Sequence, residues 1–214
     1  MSKKILLIGG GGHCKSVLDS LLGTEDYSDI GIIEKEESLG DQILGVPIIG
    51  CDDDLPRLYQ AGFTHAFVTV GSIGNPKLRI KLFSTLEKIG FELPNIIDKT
   101  AVISQHIKLD KGIFVGKNAV INAGSSINRG AIINTSTLIE HDCVVEDFVH
   151  IAPGSILCGG VHIGRETHIG AKSVIKQQIR IGSKTVIGMG SIVLRDIGSN
   201  IIAFGHPCKE VQPK

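Results

Sequence analysis

The sequence predicts an α/β, Rossmann-like domain over residues 1–95, followed by a parallel β-helix over residues 96–214. Three observations lead to this division. Strand-like and helix-like segments alternate in the first half. In the second half Ile, Leu or Val recurs at every sixth position. Aromatic residues make up only 4% of the chain, which has 27 glycines. Such a core is built from stacked aliphatic side chains and tight turns.

In the first half, short apolar runs and helical spacings predict a small parallel sheet with covering helices. We expect the last helix to end at Gly90, since glycine is favoured just after a helix. The predicted strands are 5–8, 30–33, 46–49 and 66–70, and the predicted helices are 15–22, 53–61 and 77–89.

In the second half, an aliphatic residue occupies sixteen consecutive hexads from Ile103 to Val193. A small residue stands two positions before most of them, so both share the inward face of a short strand. This period resembles the hexapeptide repeat of the left-handed parallel β-helix, whose triangular coil contains three hexads. The repeat then makes roughly five coils, with each residue stacked on the one 18 positions away.

Composition excludes several classes of protein. With 22 basic and 22 acidic residues the chain is neutral, so we expect no nucleic-acid partner. No apolar run approaches a membrane span, and the start lacks the features of a signal peptide. Five scattered cysteines without a C-x-x-C pair favour free thiols. We therefore expect a cytoplasmic protein.

His141 and Asp142 form the first candidate site, because they follow a core position at a predicted corner of the coil. Small side chains above and below would open a notch beside the imidazole, which favours a functional histidine over an ordinary turn histidine. The stacked neighbours, 18 positions away, are Ala123, Gly159, Gly124 and Gly160.

The other histidines give weaker signals. His150, His162 and His168 each precede a core position and face outward, which favours contacts between subunits. A zinc site is not expected, because the spacings of 9, 12 and 6 residues after His141 do not match the ligand set of gamma-class carbonic anhydrases, which use the same kind of helix.

A glycine cluster after the first strand is the second candidate site. Gly9 and Gly11 fit a G-x-G-x-x-G pattern, but Cys14 replaces the third glycine, and Glu34 ends the second strand. Such a turn lets main-chain N–H groups and a helix N-terminus approach a phosphate. We expect a nucleotide phosphate here, with His13 as a candidate donor; a tight turn without a ligand is the alternative.

Five segments carry a resemblance to one family. They are IGGGGH (8–13), GVPIIG (45–50), VG (70–71) followed by Arg79, NTSTLIEHD (134–142) and GHPCK (205–209). Together they resemble the bacterial sialic acid O-acetyltransferase and nucleotide-4-amino-sugar N-acetyltransferase family, over nearly the whole chain.

The resemblance implies a homotrimer with acetyl-CoA as co-substrate in the grooves between subunits, a nucleotide-sugar substrate on the N-terminal domain and no metal. It makes His141 the general base and Asp142 its acidic partner. Two departures from the family are Glu34-Lys35 in place of an acidic pair and Cys208 after the proline of the closing motif. We expect substrate binding by Gly10, Gly11, Gly12, His13, Glu34, Lys35, Gly71 and Asn134, and the pantetheine path along His150, Gly159, Gly170 and Gly188.

The predicted reaction is acetyl transfer from acetyl-CoA to the amine, at C4, of a nucleotide-linked amino sugar in bacterial polysaccharide biosynthesis. The main-chain N–H of Gly159 is our candidate for stabilising the oxyanion, and Cys143 belongs to the inward small-residue series rather than acting as a nucleophile. O-acetylation of a sugar such as sialic acid and a non-catalytic trimeric nucleotide-binding scaffold remain the alternatives.

Overall fold

The computed structural model describes residues 3–24 and 26–214; Met1, Ser2 and Glu25, which all belong to the predicted domain 1–95, lie outside the described residues. The N-terminal elements are β1 (Lys4–Ile8), α1 (Gly12–Leu22), β2 (Asp29–Ile33), β3 (Gln42–Ile43), β4 (Val46–Gly50), α2 (Leu55–Gln60), β5 (His65–Val68) and α3 (Lys77–Ile89). Their sheet has the order β3-β4-β2-β1-β5 and is parallel except for the β3–β4 hairpin. The domain is therefore Rossmann-like, as predicted.

Apolar side chains on both faces of β1 place this sheet between two layers. Leu6 and Ile8 join the core formed with α2 and α3, whereas Ile5 and Leu7 join the core formed with α1. Burial on both faces explains why β1 is an uninterrupted apolar run. Helix α3 has the predicted bounds and ends at Gly90, whose φ of 107° only glycine adopts readily.

Several predicted boundaries were wrong. Helix α1 starts at Gly12 rather than 15, because Gly11 already takes the N-cap position. The predicted helix 53–61 is a 3₁₀ turn, Asp52–Asp54, followed by the shorter α2. The sequence analysis missed β3, which pairs with β4 through a turn in which Leu44 and Gly45 have positive φ.

From residue 96 onward, two-residue strands form the three faces of a left-handed parallel β-helix, the predicted fold class. The docked face consists of β6 (Ile96–Ile97), β9 (Phe114–Val115), β12 (Ile132–Ile133), β15 (His150–Ile151), β18 (His168–Ile169) and β21 (Val186–Ile187), with β23 (Ile201–Gly205) and β24 (Cys208–Pro213) at its end. The aliphatic face consists of β7 (Val102–Ile103), β10 (Val120–Ile121), β13 (Leu138–Ile139), β16 (Ile156–Leu157), β19 (Val174–Ile175) and β22 (Ile192–Val193). The polar face consists of β8 (Lys108–Leu109), β11 (Ser126–Ile127), β14 (Val144–Val145), β17 (His162–Ile163) and β20 (Arg180–Ile181).

The interior follows the hexad pattern. The second residue of each helical strand points inward, and strands stack in an 18-residue register such as Ile121 on Ile139. The small inward residues are often hydroxylic, and their O–H groups find main-chain acceptors: Ser155 donates to the Gly170 carbonyl at 2.9 Å. Buried hydroxyls are tolerated here because each is hydrogen-bonded.

The N-terminal domain packs on the docked face through α1. Phe114 and Ile132, which point outward from this face, belong to the same core as the apolar side of α1. Ser20 of α1 also donates to the Asp98 carboxylate at 2.6 Å. The antiparallel hairpin of β23 and β24, which the sequence analysis did not predict, completes the last coil.

Within residues 3–24 and 26–214, none of the helices combines the length and the apolarity that crossing a bilayer requires.

Candidate active site

His141 and Asp142 lie on the turn that joins the aliphatic face to the polar face. The imidazole Nδ1 is 2.8 Å from a carboxylate oxygen of Asp142, and both side chains are about two-thirds exposed or more, at 66% and 71%. Asp142 adopts a φ of 59°, which the sharp corner demands. A carboxylate at Nδ1 orients the ring and leaves Nε2 directed away from it, as a general base requires.

Glycines clear the space that this pair occupies. A Cβ atom on Gly159 would lie 2.6 Å from both Cε1 and Nε2 of His141, and one on Gly124 would lie 2.2 Å from a carboxylate oxygen of Asp142. Both glycines lie where the 18-residue coil places them. Only glycine at position 159 lets the imidazole lie flat against the neighbouring coil.

The main-chain N–H of Gly159 is a donor without an acceptor among the described residues. The two neighbouring N–H groups, of Cys158 and Gly160, are occupied by the carbonyls of Ile175 and His141. An unoccupied N–H beside an imidazole is suited to a developing oxyanion.

The glycine cluster forms a tight turn between β1 and α1. Gly9 has a φ of 109° and lies so close to the segment that follows β5 that a Cβ would come within 2.6 Å of the Val70 side chain. The N–H of Gly10 donates to the carboxylate of Glu34, at the end of β2. The remaining N–H groups at the start of α1 face no acidic side chain in its first turn, and Gly11 provides no side-chain cap. This end of α1 is therefore open to an anion.

Two cavities open on either side of Glu34, at the carboxyl ends of the parallel strands. One, of about 450 Å³, has apolar walls from Ile33 and Val70 and the acidic side chains of Asp52 and Asp53 at its edge. The other, of about 590 Å³, is lined by Gly10, Gly11, Lys15 and Lys35, with the carboxylates of Glu34, Glu37 and Asp41 also in its wall. The carboxyl edge of a parallel sheet is where α/β folds bind ligands, and lysines beside the glycine turn suit a phosphate.

His13 does not reach either cavity. Its ring meets Phe114 of the docked face edge-on, with 5.2 Å between centroids, and its Nε2 is buried without a partner among the described residues. Burial, reinforced by nearby Arg79, lowers the pKa of His13 to about 4. The side chain is thus neutral and directed at the domain junction rather than at either cavity, and its role as a donor to a phosphate stays a prediction.

His150 and His168 are covered by the chain's own N-terminal domain, so their predicted role as contacts between subunits is wrong. Their rings stack edge-on at 4.8 Å, and burial lowers the pKa of His150 to about 3 and that of His168 to about 4. His162, on the polar face, instead lies 2.7 Å from the carboxylate of Glu146. The reason is that the N-terminal domain occupies the docked face, which the hexad period cannot indicate.

The structure brings several predicted substrate residues together where the N-terminal domain meets the docked face. The segment that follows β5, with Gly71 and Ser72, reaches His150, which in turn contacts Asn134. Gly71 also packs beside His13. The substrate assignment of Asn134 thus falls on the same side of the molecule as the glycine turn.

The remaining predicted cofactor residues lie on other turns. Gly170 and Gly188 stack on one another at the turn between the docked and aliphatic faces, where a Cβ on Gly170 would lie 2.5 Å from the next turn's main chain. Cys143 is fully buried in the prism core, and burial raises the pKa of its thiol to about 11, so it is no nucleophile.

Within one chain, His141 lies apart from the glycine turn and Asn134, which are predicted to bind the nucleotide sugar. Asn134 follows β12 and His141 follows β13, so the two lie at opposite edges of the aliphatic face. In the part of one chain that the structure describes, the glycine turn, Asn134 and His141 therefore do not share one cleft.

The burial of Arg79 and the apolar column of the aliphatic face were not predicted from the sequence. Arg79 is buried at the domain junction, where it donates to the Gly130 carbonyl. The outward residues of the aliphatic face form an unbroken column, which the sequence does contain as a second 18-residue series one position before the core series. That column consists of Val102, Val120, Leu138, Ile156, Val174 and Ile192.

Over the described part of the chain, no group of three or more His, Cys, Asp or Glu side chains is arranged to hold a metal ion.

Two family models match this chain. The PglD N-terminal domain model matches residues 4–86, and the model for the bacterial transferase hexapeptide (six repeats) matches residues 142–177. Among curated proteins, uncharacterized protein L142 of Acanthamoeba polyphaga mimivirus is 32% identical over 116 residues. That match covers 54% of this chain, and the chain spans only 22% of the length of that relative.

Solved structures match over almost the whole chain. The H141N variant of perosamine N-acetyltransferase from Caulobacter crescentus, in complex with CoA and GDP-perosamine, is 34% identical with a TM-score of 0.92, covering 98% of this chain and 97% of that one. The acetyltransferase domain of PglB from Neisseria gonorrhoeae, in complex with acetyl coenzyme A, is 32% identical with a TM-score of 0.92, covering 99% and 100%. WeeI from Acinetobacter baumannii, 23% identical with a TM-score of 0.84 over 98% and 100%, shares the fold.

Proposed function

The chain belongs to the hexapeptide-repeat acetyltransferases of nucleotide-linked amino sugars, and we propose that it transfers the acetyl group of acetyl-CoA to the amine of such a sugar. The observation that carries this proposal is the His141–Asp142 pair held in a glycine-cleared notch of a β-helix whose relatives bind CoA. The relative from Caulobacter crescentus was solved with GDP-perosamine, which supports a nucleotide-linked amino sugar as the acceptor.

In the proposed reaction, Nε2 of His141 takes a proton from the amine as the amine attacks the thioester carbonyl. The carboxylate of Asp142, 2.8 Å from Nδ1, orients the ring and stabilises the imidazolium that forms. The N–H of Gly159 donates to the oxyanion of the tetrahedral intermediate, and collapse of that intermediate expels the CoA thiolate. Since a thioester is already activated, alignment of the two substrates supplies much of the rate.

The two cavities beside Glu34 are the proposed binding site of the nucleotide. The apolar cavity lined by Ile33 and Val70 suits a base, and the open end of α1 with Lys15 and Lys35 suits the diphosphate. We place the pantetheine arm along the turns that carry Gly170 and Gly188, as the family resemblance implies. Acetyl-CoA and nucleotide sugars are cytoplasmic metabolites, so we place the reaction there and its product in bacterial polysaccharide synthesis.

A homotrimer completes the site in this proposal. The outward column of the aliphatic face, from Val102 to Ile192, is a continuous apolar surface that borders the His141 turn, exposed at Val102 and partly exposed along the rest of its length. Large exposed apolar surfaces of this kind mark protein interfaces. In a threefold ring, one subunit's aliphatic face meets a different surface of the next subunit. The His141 turn of one chain can then face the Asn134 side of its neighbour.

The test is thiol release from acetyl-CoA with a panel of UDP-, dTDP- and GDP-linked 4-amino sugars. We expect turnover with at least one of them and a loss of roughly 10²- to 10⁴-fold in kcat for His141→Ala, the range for a lost general base. His106→Ala is the matched control, because His106 is an exposed histidine on the same corner two coils away.

The other results each decide against the proposal. Turnover only with a free sugar hydroxyl acceptor would make the chain an O-acetyltransferase. Thiol release with none of these acceptors, together with no binding of CoA, would make it a nucleotide-binding scaffold. Wild-type kcat in His141→Ala at saturating substrates would remove His141 from the mechanism.

A further inference from the structure

A chain of hydrogen bonds links the segment after β5 to Asn134 through His150. Nδ1 of His150 lies 2.9 Å from the main-chain carbonyl oxygen of Ser72, and its Nε2 lies 3.3 Å from Nδ2 of Asn134. The amide oxygen of Asn134 accepts from the main-chain N–H of Thr135 at 2.8 Å. Four residues from two domains thus form one continuous chain.

Main-chain groups at both ends of this series of hydrogen bonds determine which atom donates and which accepts in each of them. The Ser72 carbonyl can only accept, so Nδ1 of His150 carries a proton. The Thr135 N–H can only donate, so the Asn134 oxygen must face it, and the Asn134 NH₂ group must face His150. Nε2 of His150 is consequently the acceptor. If Nε2 were protonated, it would face the Asn134 NH₂ group, which is also a donor. If the Asn134 amide were flipped, its NH₂ group would face the Thr135 N–H, again placing two donors together.

The surroundings of His150 favour the same neutral state. The titratable and charged groups that face it are His168 on the adjacent strand, Arg79 of α3 and His13 of α1. None of them is a carboxylate, and burial lowers the pKa of His150 to about 3. Arg79 also donates to the Ser72 hydroxyl at 3.3 Å, which helps to hold the segment that carries the Ser72 carbonyl.

We propose that His150 is a positioning residue: locked as the Nδ1–H tautomer, it orients the Asn134 amide so that the second N–H of Asn134 is presented to the substrate. Asn134 then offers a donor, because its oxygen is taken by Thr135. It recognises an acceptor atom of the nucleotide sugar, such as a hydroxyl or ether oxygen, and not the N–H groups of the amine. The inference rests on the proposed function for the identity of this ligand; the tautomer does not depend on it.

The first experiment reads the tautomer directly. In the full-length protein labelled with ¹⁵N-histidine, the ring nitrogen shifts of His150, assigned with His150→Gln, report which nitrogen is protonated. We expect the neutral Nδ1–H form throughout pH 5 to 8. An Nε2–H tautomer, or a ring that becomes cationic in this range, would overturn the proposal even in a fully active enzyme.

Asn134→Asp tests the link between the two side chains. A carboxylate at this position can only accept, so it favours a proton on Nε2 of His150 and raises the pKa of that ring. We expect His150 to become doubly protonated at a pH where the wild type is neutral. Unchanged ¹⁵N chemical shifts of the His150 ring in Asn134→Asp would show that the two side chains are not hydrogen-bonded to each other.

Two variants of His150 separate positioning from direct contact with a substrate. In His150→Gln the side-chain oxygen reaches the place of Nε2 and still accepts from Asn134, whereas in His150→Asn an acceptor at that place is missing. We expect KM for the nucleotide sugar to rise about tenfold in His150→Asn and to rise much less in His150→Gln.

Equal rises of KM for acetyl-CoA in both variants would instead make His150 a direct contact of the cofactor. If none of the acceptors is turned over, the proposed function fails, and the nitrogen shifts of His150 and of Asn134→Asp still decide the tautomer inference.

Discussion

At the scale of single residues, Gly159 determines whether the His141 imidazole can lie against the neighbouring coil. The glycine has no positive φ, so the main chain would accept alanine without strain, and only the 2.6 Å approach to the imidazole forbids a Cβ. The requirement for glycine therefore belongs to the site and not to the turn.

Gly159→Ala should displace the imidazole by a fraction of an ångström to an ångström and lower kcat by roughly 10- to 100-fold, since misplacement of this size costs up to two orders of magnitude. Thermal unfolding followed by circular dichroism should stay close to wild type. The matched control is Gly23→Ala at the end of α1, where φ is −80° and the nearest main-chain contact is 3.3 Å. A wild-type kcat in a folded Gly159→Ala would show that the ring does not need this space.

The immediate neighbours of His141 are also the part of the site that could be predicted best from the sequence. Counting 18 positions from His141 identifies Gly159 as its neighbour, because every coil has the same length. His13 and His150 could not be placed in this way. Their surroundings are made by contacts between α1, the segment after β5 and the docked face, and these elements are far apart in sequence.

At the scale of elements, three histidines lie neutral between the docked face and the rest of the chain, His168 buried and His13 and His150 partly buried. Burial lowers the pKa of His13 and His168 to about 4 and that of His150 to about 3, against 6.5 in an unfolded chain. Above pH 6.5 neither the folded nor the unfolded state binds these protons. Between pH 6.5 and about 4 only the unfolded state does, so the free energy of unfolding falls as the pH falls.

Each such histidine should contribute to that fall up to about 1.4 kcal/mol per pH unit, a limit approached about one pH unit below 6.5, where the unfolded histidine is almost fully protonated. His168→Phe keeps the edge-on contact with His150 and removes one of the three groups. We expect its free energy of unfolding, from urea titrations at pH 7, 6 and 5, to decline less steeply than that of the wild type, by about 1 kcal/mol between pH 6 and 5 and by less between pH 7 and 6. His106→Gln, at an exposed turn, is the control variant. An identical slope for wild type and His168→Phe would mean that His168 is protonated in the folded protein.

The docked face also accounts for the parts of the fold that could not be predicted from the sequence. The hexad period identifies all strands from β7 to β22, because each coil repeats the same inward position. It does not say which of the three faces is covered. Phe114 and Ile132 mark the docked face only once α1 is seen to pack on them, and the column on the aliphatic face looks identical in sequence to a covered surface.

At the scale of the whole molecule, the aliphatic face should hold the subunits together. Ile156 lies in the middle of its outward column, and a lysine there would place a charge in the interface at a cost of several kcal/mol unless paired. Ile156→Lys should therefore reduce the mass measured by light scattering from a trimer to a monomer and abolish thiol release. Leu22→Lys, an equally apolar exposed position on α1, should remain trimeric. A trimeric Ile156→Lys would place the interface elsewhere.

The proposed trimer also predicts which chain supplies which residue of the active site. Asn134 and His141 stand at opposite edges of the aliphatic face of one chain, so a cleft that needs both must take them from two neighbouring chains. His141→Ala and Asn134→Ala should each be strongly impaired as pure trimers. Mixed trimers, formed by refolding equal amounts together, contain clefts in which the Asn134→Ala chain supplies an intact His141 and its neighbour an intact Asn134.

About a quarter of the clefts in such a mixture should be intact, because each cleft draws its two residues independently from the two kinds of chain. Thiol release should therefore recover to about a quarter of the wild-type kcat, whereas each variant refolded alone stays impaired. A mixture no more active than its components would mean that both residues serve the same chain's site. The face that separates Asn134 from His141 would then have to be bridged within one subunit, and the trimer would stabilise the enzyme without completing its active site.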